Sequence, residues 1–156
     1  MKELYFWEKA VEIAQSKIGQ KEQGGENKGP IVVWSMRPWT KAQVGSWAEW
    51  CCAFVCTCLY EAGCLQIKKY GSTNVKTLWK NCEKAGLAWQ CFNTPQQKKV
   101  QPGDIVFFQK LGHVGICEKV EGDVVHTIEG NFGDQVKRDA HAYQEGHFYG
   151  FARMEI

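Results

Sequence analysis

A cysteine at the start of a predicted helix is the residue with the clearest potential for chemistry. Cys51 and Val55 recur at helical spacing just after Trp50, and Gly63 supplies a left-handed stop. A free cysteine has a pKa of about 8.5, and both a helix N-terminus and a nearby imidazolium favour its thiolate. Cys51 is therefore a candidate nucleophile. A buried, unreactive thiol is the competing interpretation, and the adjacent Cys52 is a competing nucleophile.

A histidine flanked by small residues is the candidate base. His113 lies in the segment GHVGI (112–116), where alternating apolar residues predict a strand running to residue 120. The turn residues 121–123 predict a hairpin with a following strand at 124–129. Such a hairpin brings His113 close to Glu129 and Asn131, and either side chain can supply the acceptor that fixes the imidazole tautomer.

The other histidines and cysteines show no spacing that points to chemistry. The eight cysteines contain no C-x-x-C pair and do not match the ligand spacing of a structural zinc site, so we expect no metal and no cofactor. We expect the thiols to be reduced, because the start of the chain has no recognisable export signal. Surface or structural roles are expected for the remaining histidines, which are His126, His141 and His147.

The elements that must position these residues fall into two halves. Apolar residues at steps of three and four predict a helix from Leu4 to Ile18, which ends at Gly19 before a glycine-rich loop (20–30). A short helix can begin at Pro30, and Ser72 or Thr73 can cap another helix that ends before Gly86. Alternation with period two then predicts strands at 87–92, 105–108, 113–120, 124–129, 135–140 and 148–153. Helices followed by strands predict an α+β domain, in which N-terminal helices cover an antiparallel sheet of five or six strands.

Length and composition restrict the chain to one soluble domain. Its 156 residues are enough for a single core, and a charged fraction of 23% is ordinary for a globular protein. A formal net charge of +2 gives no reason to expect nucleic-acid binding. No apolar run reaches the roughly 18 residues of a membrane span, and residues 1–6 lack the features of a signal peptide. We therefore expect synthesis in the cytoplasm.

Four segments together resemble the CHAP family, the cysteine- and histidine-dependent amidohydrolases/peptidases. They are WCCAFV (50–55), PGDIV (102–106), GHVGI (112–116) and TIEGN (127–131), and their order and separations are also similar to those of the family. The resemblance runs from about residue 47 to 153. It implies one catalytic domain over 1–156, whose core of about 47–153 follows an N-terminal helix and glycine-rich loop (1–46). The implied fold is papain-like.

The resemblance also implies a role for each site residue. The family's Cys-x-x-Phe-Val pattern places the nucleophile on Cys51, the base on His113, the orienting acid on Glu129 and a supporting polar residue on Asn131. Some phage members carry an acidic calcium loop ahead of the nucleophile, but residues 41–49 contain one carboxylate, too few for calcium. Oxyanion stabilisation is expected from the backbone N–H of Cys51, with Gln43 as a weaker side-chain candidate.

The implied function is hydrolysis of a peptidoglycan amide bond, either as an N-acetylmuramoyl-L-alanine amidase or as an endopeptidase of the stem or cross-bridge. The protein would act on the cell wall after release or non-classical secretion, as a phage lysin dependent on a holin or as an antibacterial effector with an immunity protein. Two alternatives remain open. One is a non-catalytic wall-binding module on the same fold, and the other is a cysteine-rich redox or metal protein.

Overall fold

The computed structural model describes residues 5–39, 50–91 and 98–155. The described helices are α1 (Phe6–Lys17), α2 (Pro30–Met36), α3 (Trp50–Glu61), α4 (Gln66–Tyr70) and α5 (Val75–Lys84). The described strands are β1 (Ala88–Gln90), β2 (Ile105–Phe108), β3 (Val114–Glu121), β4 (Val124–Glu129), β5 (Lys137–Ala142) and β6 (Phe148–Ala152). This order of elements confirms the predicted α+β class.

The six strands form a single antiparallel sheet in the order β1-β6-β2-β3-β4-β5. The predicted hairpin of β3 and β4 is present, and Glu121 pairs with Val124 at its turn. Farther along the same hairpin, the register shifts by one residue between Cys117 and Lys119, so that Ile116 pairs with Ile128. A β-bulge of this kind bends the strand and changes which residues face each other.

The helix α3 lies in the centre of the molecule. Every residue from Trp50 to Leu59 is buried, so burial extends beyond the face that Cys51 and Val55 share. A helix that is apolar all round must be covered on all sides. Here α3 packs against α1, α2 and β3. Gly63, with φ 94°, lies two residues beyond the end of the helix and takes the left-handed conformation that the sequence predicted.

The two faces of the sheet contribute to separate apolar clusters. Side chains of β2, β3 and β4 that face the helices join the main core, which contains Ile105, Phe107, Val114, Ile116 and Ile128. The opposite face carries a smaller cluster of Val100, Val106, Cys117, Val125, Phe148 and Phe151. The helices therefore cover one face of the sheet.

Details of the helix ends differ from the sequence-based expectation. The N-cap of α5 is Asn74, whose Oδ1 accepts the backbone N–H of Thr77, rather than Ser72 or Thr73. Ser72 instead supports the cap, because its Oγ accepts the backbone N–H of Asn74. The one-turn helix α4 was not predicted, because five residues are too few to show helical periodicity.

The glycine-rich loop after α1 is tied to the segment that follows β4. Gly19 and Glu22 donate backbone hydrogen bonds to Val136 and Asp134, and Gln20 accepts one from Val136. This pairing sets the start of the chain beside the end of the β3–β4 hairpin. In the part of the chain that the structure describes, every helix is too short or too polar to cross a membrane.

Candidate active site

A buried carboxylate at the end of β4 is the innermost group of the site. Glu129 is 1% exposed, and its Oε2 accepts a hydrogen bond from the hydroxyl of Thr127, two residues earlier on the same face of the strand. Gly115 on β3 leaves the space that the carboxylate side chain occupies, because a Cβ at this position would lie 2.7 Å from Cγ of Glu129. The register beyond the bulge thus places a glycine where the acid needs room.

His113 lies immediately before β3 and contacts this carboxylate directly. Its Nε2 is 2.7 Å from Oε1 of Glu129, which confirms the contact expected from the hairpin. The backbone carbonyl of His113 accepts the N–H of Phe108, and the Phe108 ring lies 5.5 Å from the imidazole. Both contacts fix the position of the histidine at the end of the strand.

The charge state of His113 depends on its two neighbours. Burial alone would lower its pKa, but hydrogen bonds and charge interactions with Cys51 and Glu129 outweigh burial and raise the pKa to about 10. Since Nε2 is bonded to Glu129, we infer that Nδ1 is the nitrogen that faces Cys51. The raised pKa favours the imidazolium form of His113 at neutral pH.

Cys51 occupies the first turn of the central helix α3. It is 2% exposed, and Trp50 before it is held by a 2.8 Å hydrogen bond from the indole N–H to Oε1 of Glu22. Three residues later, Phe54 packs against Gly130, where an added Cβ would lie 2.8 Å from Cβ of the phenylalanine. The backbone after Glu129 therefore approaches α3 closely, and this contact sets the helix start against the end of β4.

The neighbouring thiols are in different surroundings. Burial and the adjacent cysteines raise the pKa of Cys52 well above its usual range, and its Sγ lies 2.9 Å from the carbonyl oxygen of Ser72. Burial likewise raises the pKa of Cys58, and it raises that of Cys82 and of Cys117 to about 12. High pKa values keep these thiols protonated and unreactive. Cys51 is the thiol whose interaction with the imidazole raises the pKa of His113.

A groove runs beside the helix start. It has a volume of about 370 Å³ and is lined by Gly19, Gln20, Lys21, Glu22, Gln23, Pro30 and Ile31. Glu22 connects the groove to the site, because its carboxylate binds the indole of Trp50, next to Cys51. The glycine-rich loop is thus joined to Trp50, the residue that precedes the nucleophile candidate.

The model of the CHAP domain matches residues 39–131, more than half of the chain. The chain belongs to the CHAP family. CHAP domains are hydrolases of the amidase and peptidase type that act on cell walls. Cys51, His113 and Glu129 all lie inside the matched range, whereas α1, β5 and β6 lie outside it. No curated protein matches the chain.

Not every residue predicted for the CHAP site reaches its centre. Asn131 is half-buried and left-handed, with φ 55°, and no hydrogen bond joins it to His113 in the described structure. Its proposed supporting role stays a prediction. The segment 41–49, in which calcium ligands were judged too few, and Gln43, the weaker oxyanion candidate, lie outside the described residues.

The structure adds two residues to the CHAP site that sequence reasoning missed. Thr127 donates a hydrogen bond to Glu129, and a residue two positions earlier on the same strand could have been considered from strand alternation. His141 on β5 lies with its Nε2 3.8 Å from Oε2 of Glu129. No local signal reveals His141, because it reaches the site through the pairing of β4 with β5.

Two groups of side chains in the described ranges are close enough together to hold a metal ion. One contains Glu129, Asp139 and His141, and the other contains His141, Glu145 and His147. Both groups contain His141 of β5.

Proposed function

We propose that the protein hydrolyses an amide bond of peptidoglycan, with Cys51 as nucleophile, His113 as base and general acid, and Glu129 as the orienting carboxylate. The observation that carries this proposal is the 2.7 Å contact between His113 and Glu129, together with the interaction of the Cys51 thiol with the same imidazole. A cysteine, a histidine that contacts it and a third group that orients the histidine together form the arrangement used in covalent acyl transfer.

The proposed reaction has two steps. The Cys51 thiolate attacks the carbonyl carbon of the amide, and the His113 imidazolium gives its proton to the nitrogen as the carbon–nitrogen bond breaks. The products of this step are a thioester and a free amine. The neutral imidazole then takes a proton from water, and the hydroxide attacks the thioester. This releases a carboxylic acid and restores the thiolate.

Other groups orient His113, stabilise the developing negative charge and leave space for the substrate. Glu129 bonds Nε2 of His113 and so directs Nδ1 towards the thiol. The backbone N–H of Cys51 belongs to the first turn of α3, whose amides have no partner within the helix, and it can stabilise the developing oxyanion. The groove beside Trp50 offers space for the peptide on one side of the cut.

Two cleavage positions agree with this chemistry, and the released fragments distinguish them. An N-acetylmuramoyl-L-alanine amidase frees the amino group of L-alanine and the lactyl carboxylate of the sugar. An endopeptidase leaves peptide on the glycan and frees an amine within the stem or cross-bridge. We propose that the setting is the cell wall, reached by a phage lysin after holin action or by a secreted effector whose producer carries an immunity protein.

Purified peptidoglycan digested with the full chain tests the proposal. We expect soluble fragments with one new amine for each new carboxylic acid, identified by mass spectrometry. Cys51→Ala is expected to release none, while the matched variant Cys52→Ala keeps much of the activity, because Cys52 bonds the backbone of Ser72. Binding of the wall without release of fragments would instead identify a wall-binding module. Equal loss in two folded variants would overturn the choice of nucleophile.

A further inference from the structure

A cluster of side chains that could serve as metal ligands lies at the end of β5 and on its connection to β6. His141, Glu145 and His147 each present one ligand atom, and these atoms lie within 4.8 Å of one another. The three residues follow the range matched by the CHAP model, which ends at residue 131. The proposed hydrolysis uses none of them.

Two contacts hold the carboxylate of Glu145 in this turn. Oε1 of Glu145 accepts the backbone N–H of Ala142 at 3.1 Å, and Oε2 lies 3.1 Å from Nε2 of His147. Gly146 takes a left-handed conformation, with φ 74°, that returns the chain so that His147 stands beside Glu145. The backbone carbonyl of His147 also accepts the N–H of Gln109. Two of the three ligands are therefore preorganised.

The third side chain has a polar atom without a hydrogen bond. Nε2 of His141 is buried and makes no hydrogen bond with any of the described residues, although Oδ2 of Asp139 lies 3.0 Å away. The ring is held between Phe108 and Phe148, at centroid distances of 5.1 and 5.8 Å. A buried ring nitrogen with no partner calls for an explanation, and a metal ion nearby would supply one.

We propose that His141, Glu145 and His147 form a binding site for Zn²⁺. Two imidazoles and one carboxylate are a ligand set that zinc accepts, with water in the fourth position. The site goes beyond the proposed hydrolysis and does not depend on it.

The position of the site gives it an effect on the candidate active site, and this part rests on the proposed function. His141 lies 3.8 Å from Oε2 of Glu129, the carboxylate that bonds His113. A divalent cation held by His141 attracts the negative charge of Glu129 and opposes a positive charge on the imidazole. Bound zinc is therefore an inhibitor, and hydrolysis is expected to fall as the site fills.

Calorimetric titration of Zn²⁺ into the full chain tests the site. The Cys51→Ala chain is used, because it removes the candidate nucleophile as a competing zinc ligand. We expect one ion per chain, and we expect His147→Ala and Glu145→Gln in this background each to weaken binding by about tenfold or more. His126→Ala is the matched control, because it removes a histidine paired with Glu121 outside the cluster, and it should bind like its parent.

Co²⁺ in the same chain reports the ligand type. Nitrogen and oxygen ligands give visible bands without the near-ultraviolet charge-transfer band of a thiolate, and this spectrum should disappear in His147→Ala. Unchanged zinc affinity in both ligand variants, or a thiolate band, would overturn the site. Inhibition is measured separately, in chains that keep Cys51, and the hydrolysis rate of each variant with zinc is compared with its own rate without zinc. Zinc binding without inhibition would overturn only the proposed effect on Glu129. If the chain does not hydrolyse peptidoglycan, the test of zinc binding is still valid.

Discussion

At the scale of single residues, the site depends on where the proton of His113 resides. A raised histidine pKa means that the imidazolium persists well above neutral pH, and the proposed thiolate–imidazolium pair persists with it. The pair is lost on the alkaline side, as the pH rises through about 10 and the imidazolium loses its proton. The same pKa shift links the protonation of His113 to folding. Its contribution to the free energy of unfolding is complete below the unfolded-state pKa of about 6.5, and it is lost as the pH rises through the folded-state pKa of about 10.

Replacing the base His113 should lower the rate of hydrolysis more than replacing the acid Glu129. His113→Ala removes the proton carrier, and general acid–base catalysis is worth about a hundred- to ten-thousand-fold, so hydrolysis should nearly vanish. Glu129→Gln keeps the shape and removes the charge, so activity should fall less, and the alkaline limb should move to lower pH. The rate of wall clearance measured across pH checks both. An active His113→Ala, or a Glu129→Gln that changes neither rate nor profile, contradicts the arrangement.

At the scale of elements, two glycines allow the hairpin and the central helix to meet. Gly115 makes room for Glu129, and Gly130 makes room for Phe54 of α3. The sequence predicted the β3–β4 hairpin because alternation and turn residues are local signals. The bulge after Cys117 could not be predicted, since it depends on how the rest of the sheet pairs.

A pair of glycine variants isolates this contact. Gly115→Ala places a Cβ 2.7 Å from Cγ of Glu129, whereas Gly112→Ala meets nothing within 4 Å. We expect Gly115→Ala to lower hydrolysis by between about tenfold and a hundredfold, because the orienting carboxylate is displaced. Overpacking should also cost about 1–3 kcal/mol of unfolding free energy. Gly112→Ala should resemble the parent in both assays, and equal behaviour of the two variants would show that the packing at Gly115 does not position the acid.

At the scale of the whole molecule, the segment before the matched domain is joined to the residue that precedes Cys51. The glycine-rich loop, predicted as an exposed connection, pairs with the segment after β4 and lines the groove through Glu22. The sequence predicted Cys51, His113 and Glu129 as site residues because compact local patterns mark them. It could not place Glu22 or His141, whose contacts with Trp50 and Glu129 arise only from the packing of distant segments.

Removal of metal ions should not reduce hydrolysis. The proposed mechanism uses a thiolate, an imidazole and a carboxylate, and residues 41–49 contain one carboxylate. Activity after treatment with EDTA should therefore equal that of the untreated protein, or exceed it where zinc was bound. Activity that is lost in EDTA and restored by calcium would reveal a metal requirement that the proposed mechanism lacks.

The central claim, that Cys51 is a thiolate maintained by His113, is tested most directly by alkylation at single-cysteine resolution. Limited iodoacetamide at about pH 6 modifies thiolates, and thiols with a pKa near 8.5 react slowly there. Mass spectrometry then gives the rate at each cysteine, with the half-buried Cys91 as the internal comparison. We expect that Cys51 reacts first, that hydrolysis falls in step with its modification, and that His113→Ala slows the reaction of Cys51 selectively. Two results would contradict a thiolate maintained by His113: Cys51 reacts no faster than Cys91, or Cys51 reacts at the same rate in the parent and in His113→Ala.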